Sequence, residues 1–360
     1  MAVTFNSDLR PDGPRELASG IDSLTISLRG TLPEALATSL ADAKATALEH
    51  KCPVEVELGH VVWQVQPGRF GKYPFSLRHE YGFLGVTDSL ALPTMRWEPL
   101  ATAIHALGPA TIAYWLIDLV ESEIGSVTTT LSRLDLHADF QGLFFRPEDK
   151  EAFVGRPRSC VANWDEGVFS GFTFGSRGSK SILARLYDKT LEIAKKGGTY
   201  WYEIWGDLYD PEETTWRVEF ECHRAFLRKF GIITLEQGFA SVGGVWKYAT
   251  EEWLSLRIPT LDDTHSRWRI EPAWLAVQKA LLASRTVSLE RVRESRREDD
   301  LHRTIPQLNG WLARTGAILG LESADDVIKA LPRIVEMYER SSDTLFNDRI
   351  QHKRKKMLLP

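Results

Sequence analysis

The sequence predicts an α+β fold: a mostly antiparallel central sheet with flanking helices, followed by a helical C-terminal region. Three observations predict it. Short runs alternating apolar and polar residues recur between Ile21 and Phe226, as half-buried strands require. Two stretches among them carry Leu, Ala and Trp at helical spacing. From about Leu227 onward helical patterns dominate.

Met1–Gly20 is rich in Pro, Gly, Asp and Ser without periodicity and is expected to be a flexible leader. The run IDSLTISLRG from Ile21 alternates as a strand does, and TLPEALATSLADAKATALEH then reads as a helix. VEVELG, HVVWQVQPG and YPFSLRHEYGFLGVTD suggest short strands joined by glycine-containing turns. Between Glu98 and Gly125 the pattern returns to helix, with Trp115, Leu116, Leu119 and Val120 in one stripe. TTLSRLDLHADFQGLFF, SILARLYDKTLEI and TTWRVEFECHRAF are three further strands. The aromatic-rich YWYEIWGDLY between the last two reads as a connection or insertion. PTLDDT at Pro259–Thr264 is the best boundary candidate, dividing a domain over 21–260 from a helical region over 261–360.

Composition fits a soluble globular protein, with 43% hydrophobic and 26% charged residues. Cys52, Cys160 and Cys222 are too scattered for a disulfide framework or a structural zinc site, so a reducing cytoplasm is the expected compartment. The most apolar stretch, Ala110–Val120, is too short to span a bilayer and contains Asp118, and the N-terminus has no secretory pattern, so no membrane partner is expected. A net charge of −5 does not announce a nucleic-acid binder. Its distribution is uneven: Thr264–Pro360 holds 18 Lys and Arg against 13 Asp and Glu, and the remainder 26 against 36.

Residues two apart in a strand share a face. One face of Ser132–Phe140 carries Arg133, Asp135, His137 and Asp139; that of Leu183–Thr190 carries Arg185, Tyr187 and Lys189; that of Thr215–Cys222 carries Arg217, Glu219 and Glu221. Each row alone reads as the solvated face of a one-sided sheet. Together they omit the Ser and Thr usual on exposed strands and suggest a shared polar site. Hard divalent cations prefer carboxylate oxygens, which makes Asp135, Asp139, Glu219 and Glu221 candidate ligands for Mg²⁺ or Mn²⁺. Arg133, Arg185, Arg217 and Lys189 would neutralise phosphate charge. Tyr187, between Arg185 and Lys189, is the candidate nucleophile, since adjacent cations favour its phenolate; the alternative for any strand tyrosine is packing.

Ile21-Asp22-Ser23-Leu24, Ser132-Arg133-Leu134-Asp135 with Asp139, Thr173-Phe174-Gly175-Ser176-Arg177 leading to Arg185-Leu186-Tyr187-Asp188-Lys189, and Trp216-Arg217-Val218-Glu219, in that order, resemble the replication initiation factor family. That family comprises rolling-circle initiators of plasmids and phages and relaxases of conjugative elements. The resemblance covers about Ile21 to Phe230. It implies a metal-dependent nick at a DNA origin, single-stranded or extruded as a hairpin, with a tyrosine joined covalently to the 5′ end. It puts the nucleophile at Tyr187 and metal ligands at Asp135 and Glu219, with Asp139 and Glu221 as further candidate ligands. A host helicase and a second copy of the chain are the further partners it suggests. Initiators of the commoner class use a His-x-His pair; none occurs here and His137 is alone on its strand, which favours the carboxylate version.

Gly175–Lys180 lacks the Walker spacing and reads as a hairpin turn, with Arg177 and Lys180 available to DNA. Trp201, Tyr202, Trp205 and Tyr209 either stack unpaired bases or cover the core. Ser284–Arg303 interleaves Arg with Glu as a self-paired helix face would. The tail, with Arg349, Lys353, Arg354, Lys355 and Lys356, suits phosphate contact or a solubilising role. Two other readings stay open: a DNA-binding protein on the same fold that does not cut, and a metal-dependent phosphodiesterase that uses water.

Overall fold

A computed structural model of the chain describes residues 13–176, 181–284, 305, 308–310, 312–340 and 345–356. The chain divides into two compact units, Met1–Val292 and Arg293–Pro360. Among the described residues no single helix is long and apolar enough to cross a membrane.

The first unit is built on an eleven-stranded sheet in which every neighbouring pair runs antiparallel. Two long strands, β1 (Arg15–Arg29) and β7 (Thr128–Gln141), pair at its centre. On one side lie β6 (Met95–Pro99), β5 (Gly82–Val86), β4 (Phe75–His79), β3 (Val61–Val65) and β2 (Val54–Leu58). On the other lie β12 (Thr215–His223), β11 (Ile182–Asp188), β10 (Val168–Phe174) and β9 (Cys160–Asp165). A separate pair joins β8 (Phe153–Gly155) to β13 (Leu254–Leu256).

The α+β expectation agrees with this architecture, the first expected helix forming α1 (Glu34–His50), and the differences are local. β1 begins at Arg15, within the expected leader, because Leu17 and Ile21 have a core to enter. β6 occupies Met95–Pro99, so the helical stretch starts at α2 (Ala101–Leu107) and continues as α3 (Pro109–Ile124) after Gly108, whose φ of +87° breaks the run. β9 and β10 give a weak alternation signal. Lys189 does not extend β11: Asp188 accepts a hydrogen bond from Leu191 N at 2.8 Å and caps α4 (Lys189–Lys196). YWYEIWGDLY forms the short helix α5 (Tyr200–Trp205).

PTLDDT lies inside the first unit. Across it Ile258 N reaches Arg269 O at 2.8 Å, and beyond it the helix Pro272–Gln278 buries Trp274, whose indole donates to Thr250 O at 3.0 Å. Trp274 and Val277 belong to the core cluster, and the first compact unit runs to Val292. In the second unit helices run over Ala324–Arg340 and Phe346–Lys356.

The two faces of the sheet differ. Leu134, Leu136, Ala138, Val218 and Phe220 supply the apolar face, where Phe220 packs edge-on to Trp246 at 5.4 Å. The opposite face carries the charged rows. α4 and α5 cover part of it with a second small core of Leu17, Ile193, Trp201 and Trp205.

Candidate active site

The registers bring the three charged rows side by side. Asp135, His137 and Asp139 on β7 lie directly opposite Glu221, Glu219 and Arg217 on β12, and Glu219 and Arg217 lie opposite Arg185 and Tyr187 on β11. Residues opposite each other in a ladder point to the same side, so these side chains form one polar lattice across three strands. Asp135, His137, Asp139, Arg217, Glu219 and Glu221 are all buried.

A buried charge needs a partner, and the lattice supplies one for each carboxylate. Arg133 binds Asp135 through Nε at 2.9 Å and reaches Glu221 at 3.1 Å. Arg185 pairs with Glu219 and lies 3.2 Å from Glu221. Arg217 grips both oxygens of Asp139, at 2.6 and 2.8 Å, and Trp205 donates its indole N–H to Asp139 at 2.9 Å. The four carboxylates expected as metal ligands are thus engaged by arginines. Burial pushes the Asp135 and Glu219 carboxyls up, against the pull of Arg133 and Arg185. Burial also acts on Asp139, but Arg217 and the Trp205 N–H outweigh it and hold that carboxyl below its ordinary value.

Tyr187 donates its hydroxyl hydrogen to Glu219 Oε2 at 3.0 Å. Burial and the Glu219 charge push its phenol well above the ordinary value. Arg185 and Lys189 lie over its ring, at 5.4 and 5.7 Å. The expectation that neighbouring cations favour the phenolate is corrected here. Arg185 and Arg217 are committed to carboxylates, so the resting group is a phenol. Lys189 is bonded to Glu192 at 2.6 Å, and burial followed by Arg217 lowers its pKa.

A histidine pair, invisible as a spacing, appears at the edge of the lattice. His105 on α2 and His137 on β7 lie with ring centroids 5.5 Å apart, and with Asp22 they offer ligand atoms all within 4.8 Å of one another. Asp22 is the extra residue of a bulge in β1 between Ile21, opposite Leu136, and Ser23, opposite Asp135. Both ring nitrogens of His137 and Nε2 of His105 are buried without a hydrogen-bond partner. Burial lowers both imidazole pKa values, which keeps them neutral and able to ligate. Asp22 Oδ1 also accepts from Arg217 at 2.7 Å, so the triad shares an arginine with the lattice. Trp201 packs against His105 at 4.6 Å and His137 at 5.2 Å, and the Arg217 guanidinium lies 3.9 Å over it.

Sequence reasoning missed Asp22, His105 and His137 as candidate ligands. A lone Asp on a strand and a lone His on a helix carry no mutual spacing, although Asp22 stands in the first motif of the resemblance. Of the expected DNA contacts, Arg133 belongs to the lattice and Arg354 is exposed on the Phe346–Lys356 helix. Arg177, Lys180 and the Lys353 side chain lie outside the described residues, as do 285–304 with their arginines. Trp201 and Trp205 are buried, which favours their role as cover for the core.

No family model matches the chain. It is similar to the uncharacterized protein ORF430 of Pseudomonas phage Pf1, at 29% identity over 104 residues that cover 22% of this chain. The match spans about a quarter, 24%, of that protein's length. Among solved structures it is similar to the rolling circle replication initiator protein from Geobacillus stearothermophilus, at 14% identity. That likeness covers 74% of this chain and 97% of the other with a TM-score of 0.42.

Proposed function

We propose that this chain is a metal-dependent DNA nicking and strand-transfer enzyme acting through a covalent 5′-phosphotyrosine at Tyr187. Its role would be to start rolling-circle replication or conjugative transfer of a mobile element. The observation that carries the reading is the hydroxyl of Tyr187 held 3.0 Å from a buried carboxylate, Glu219, whose ladder partner is His137 of the candidate metal triad.

In this reading the Tyr187 oxygen attacks the phosphodiester and its proton passes to Glu219, whose raised pKa suits it to accept one. A bond forms from the phenolic oxygen to phosphorus, and the bond to the 3′ oxygen breaks. That oxygen leaves as a hydroxyl, protonated by Lys189, whose pKa is lowered toward the working range. Arg185, partly exposed beside the tyrosine while it holds Glu219, would meet charge developing on the phosphoryl oxygens, and Arg217, buried on Asp139 and Asp22, holds the lattice behind it.

The triad fits a divalent ion because His137 and His105 present orphaned buried nitrogens. Two imidazoles and one carboxylate suit Mn²⁺ better than Mg²⁺, which prefers all-oxygen shells. An ion bound there would polarise the scissile phosphate and offset its charge. We assign Asp135, Asp139, Glu219 and Glu221 to the arginine lattice around it. Origin DNA is the substrate on this reading. A helicase and a second subunit are partners on the resemblance alone.

The test is incubation of the full chain with single-stranded DNA and Mn²⁺, followed by denaturing electrophoresis. A protein–DNA adduct that requires Tyr187 supports the proposal. Cleavage without an adduct would favour a phosphodiesterase that uses water, and binding without cleavage a DNA-recognition protein.

A further inference from the structure

Beside Tyr187, on the side of the sheet edge, lies a pocket of about 210 Å³ lined by Asn163, Ser170, Thr173, Arg185, Tyr187 and Lys195, among others. It is smaller than the roughly 300–1,000 Å³ typical of sites for drug-sized ligands, and closer to the size of one flat ring system. Its charged groups are already engaged: Lys195 with Asp165, Lys196 with Glu192 at 2.9 Å, Arg185 with Glu219, and Asp188 with the Leu191 N–H. A wall neutralised in this way is a poor seat for a free phosphate and a better one for an uncharged base.

One side chain there is set up to read a hydrogen-bonding edge. Asn163, half-buried on β9, donates from Nδ2 to the Thr173 hydroxyl on the neighbouring strand at 2.9 Å. That bond fixes the plane of the amide and uses one of its two N–H groups. An amide whose outer N–H is taken up by Thr173 keeps its inner N–H and its carbonyl oxygen as an adjacent donor and acceptor, the pair that matches N7 and N6 of adenine. Next to them Gly171 brings β10 against Tyr187: a Cβ there would stand 2.8 Å from the Tyr187 Cα. The pocket and the nucleophile therefore share a wall.

We propose that the pocket receives the base next to the scissile phosphate and that Asn163 selects adenine at that position. The inference rests on the strand-transfer reading for its register, and its test separates the two. A pool of random single-stranded oligonucleotides is incubated with the full chain and Mn²⁺, and DNA bound covalently under denaturing conditions is sequenced. Wild-type adducts are expected to carry adenine at one position beside the nick. In adducts from Asn163→Ala that preference should fall about 5- to 150-fold, the discrimination of one bidentate contact. Thr173→Ala, which frees the amide to rotate, should weaken it less. Wild-type adducts without a base preference beside the nick, or an undiminished adenine preference in Asn163→Ala, would overturn the proposal.

Should no adduct form at all, the strand-transfer reading fails and the pocket is judged alone. The side-chain amide resonance of Asn163 is then followed as dAMP, dCMP and dTMP are added. A shift with dAMP at lower concentration than with the other two supports the site; no shift, or equal shifts, rules it out.

Discussion

Across the pairing of β11 with β12, the Tyr187 hydroxyl donates to the Glu219 carboxylate at 3.0 Å, while Arg185 binds the other oxygen of the same group. The proposed nucleophile and its proposed base are thus held by one backbone ladder. Tyr187→Phe should abolish adduct formation while retaining DNA binding, measured by fluorescence anisotropy. Glu219→Gln keeps a hydrogen-bond acceptor but cannot take the proton, and should slow adduct formation about 10²- to 10⁴-fold. Its residual rate should climb with pH as the phenol ionises unaided; a flat profile would remove Glu219 from the role of base.

Metal binding can be read without catalysis. Trp201 lies within 5.2 Å of both histidine rings, so its fluorescence should quench as Mn²⁺ binds. His105→Ala and His137→Ala should each weaken Mn²⁺ by more than about tenfold. Should Asp135→Asn or Glu221→Gln weaken it instead, with the histidine variants unchanged, the ion sits among the strand carboxylates.

Arg217 and Asp139 form a fully buried two-bond pair. Asp139→Asn leaves Arg217 without its main counter-charge and should destabilise the first unit by about 3–5 kcal/mol at neutral pH. Asp139 is held below its ordinary value, so its contribution is complete above pH 3.8 and is lost as pH falls through the folded value. Denaturant unfolding of wild type and variant should therefore differ most at neutral pH and converge in acid. A constant difference would mean that the loss arises from packing.

Gly171 has φ +140°, and a Cβ would stand 1.9 Å from Leu186 O. Gly171→Ala should destabilise by at least about 1–3 kcal/mol, the range for a forced backbone conformation. It should also slow adduct formation more than DNA binding, because β10 must withdraw from Tyr187. Equal loss of both would point to general unfolding.

Much of this was legible before folding. Alternation at 132–140, 183–188 and 215–222 marks β7, β11 and β12 and sorts Asp135, Asp139, Arg185, Tyr187, Arg217, Glu219 and Glu221 onto charged faces. A period of two is a local property of an extended backbone, so the chain states it directly. The same locality explains Lys189: the parity rule holds only while the strand lasts, and the Asp188 cap ends it.

What the sequence by itself determined is therefore which residues share a face, and that one face of the sheet is polar and chemically dense. Tertiary structure alone decided who partners whom. Register set Glu219 between Arg185 and His137, within reach of the Tyr187 hydroxyl, and three arginines claimed the carboxylates that composition offered to a metal. A bulge in β1 and the docking of α2 carried Asp22 and His105 to His137. Such contacts join segments far apart in the chain, and each holds only because a charge stripped of water by burial meets its partner there. No window of sequence reports that quantity.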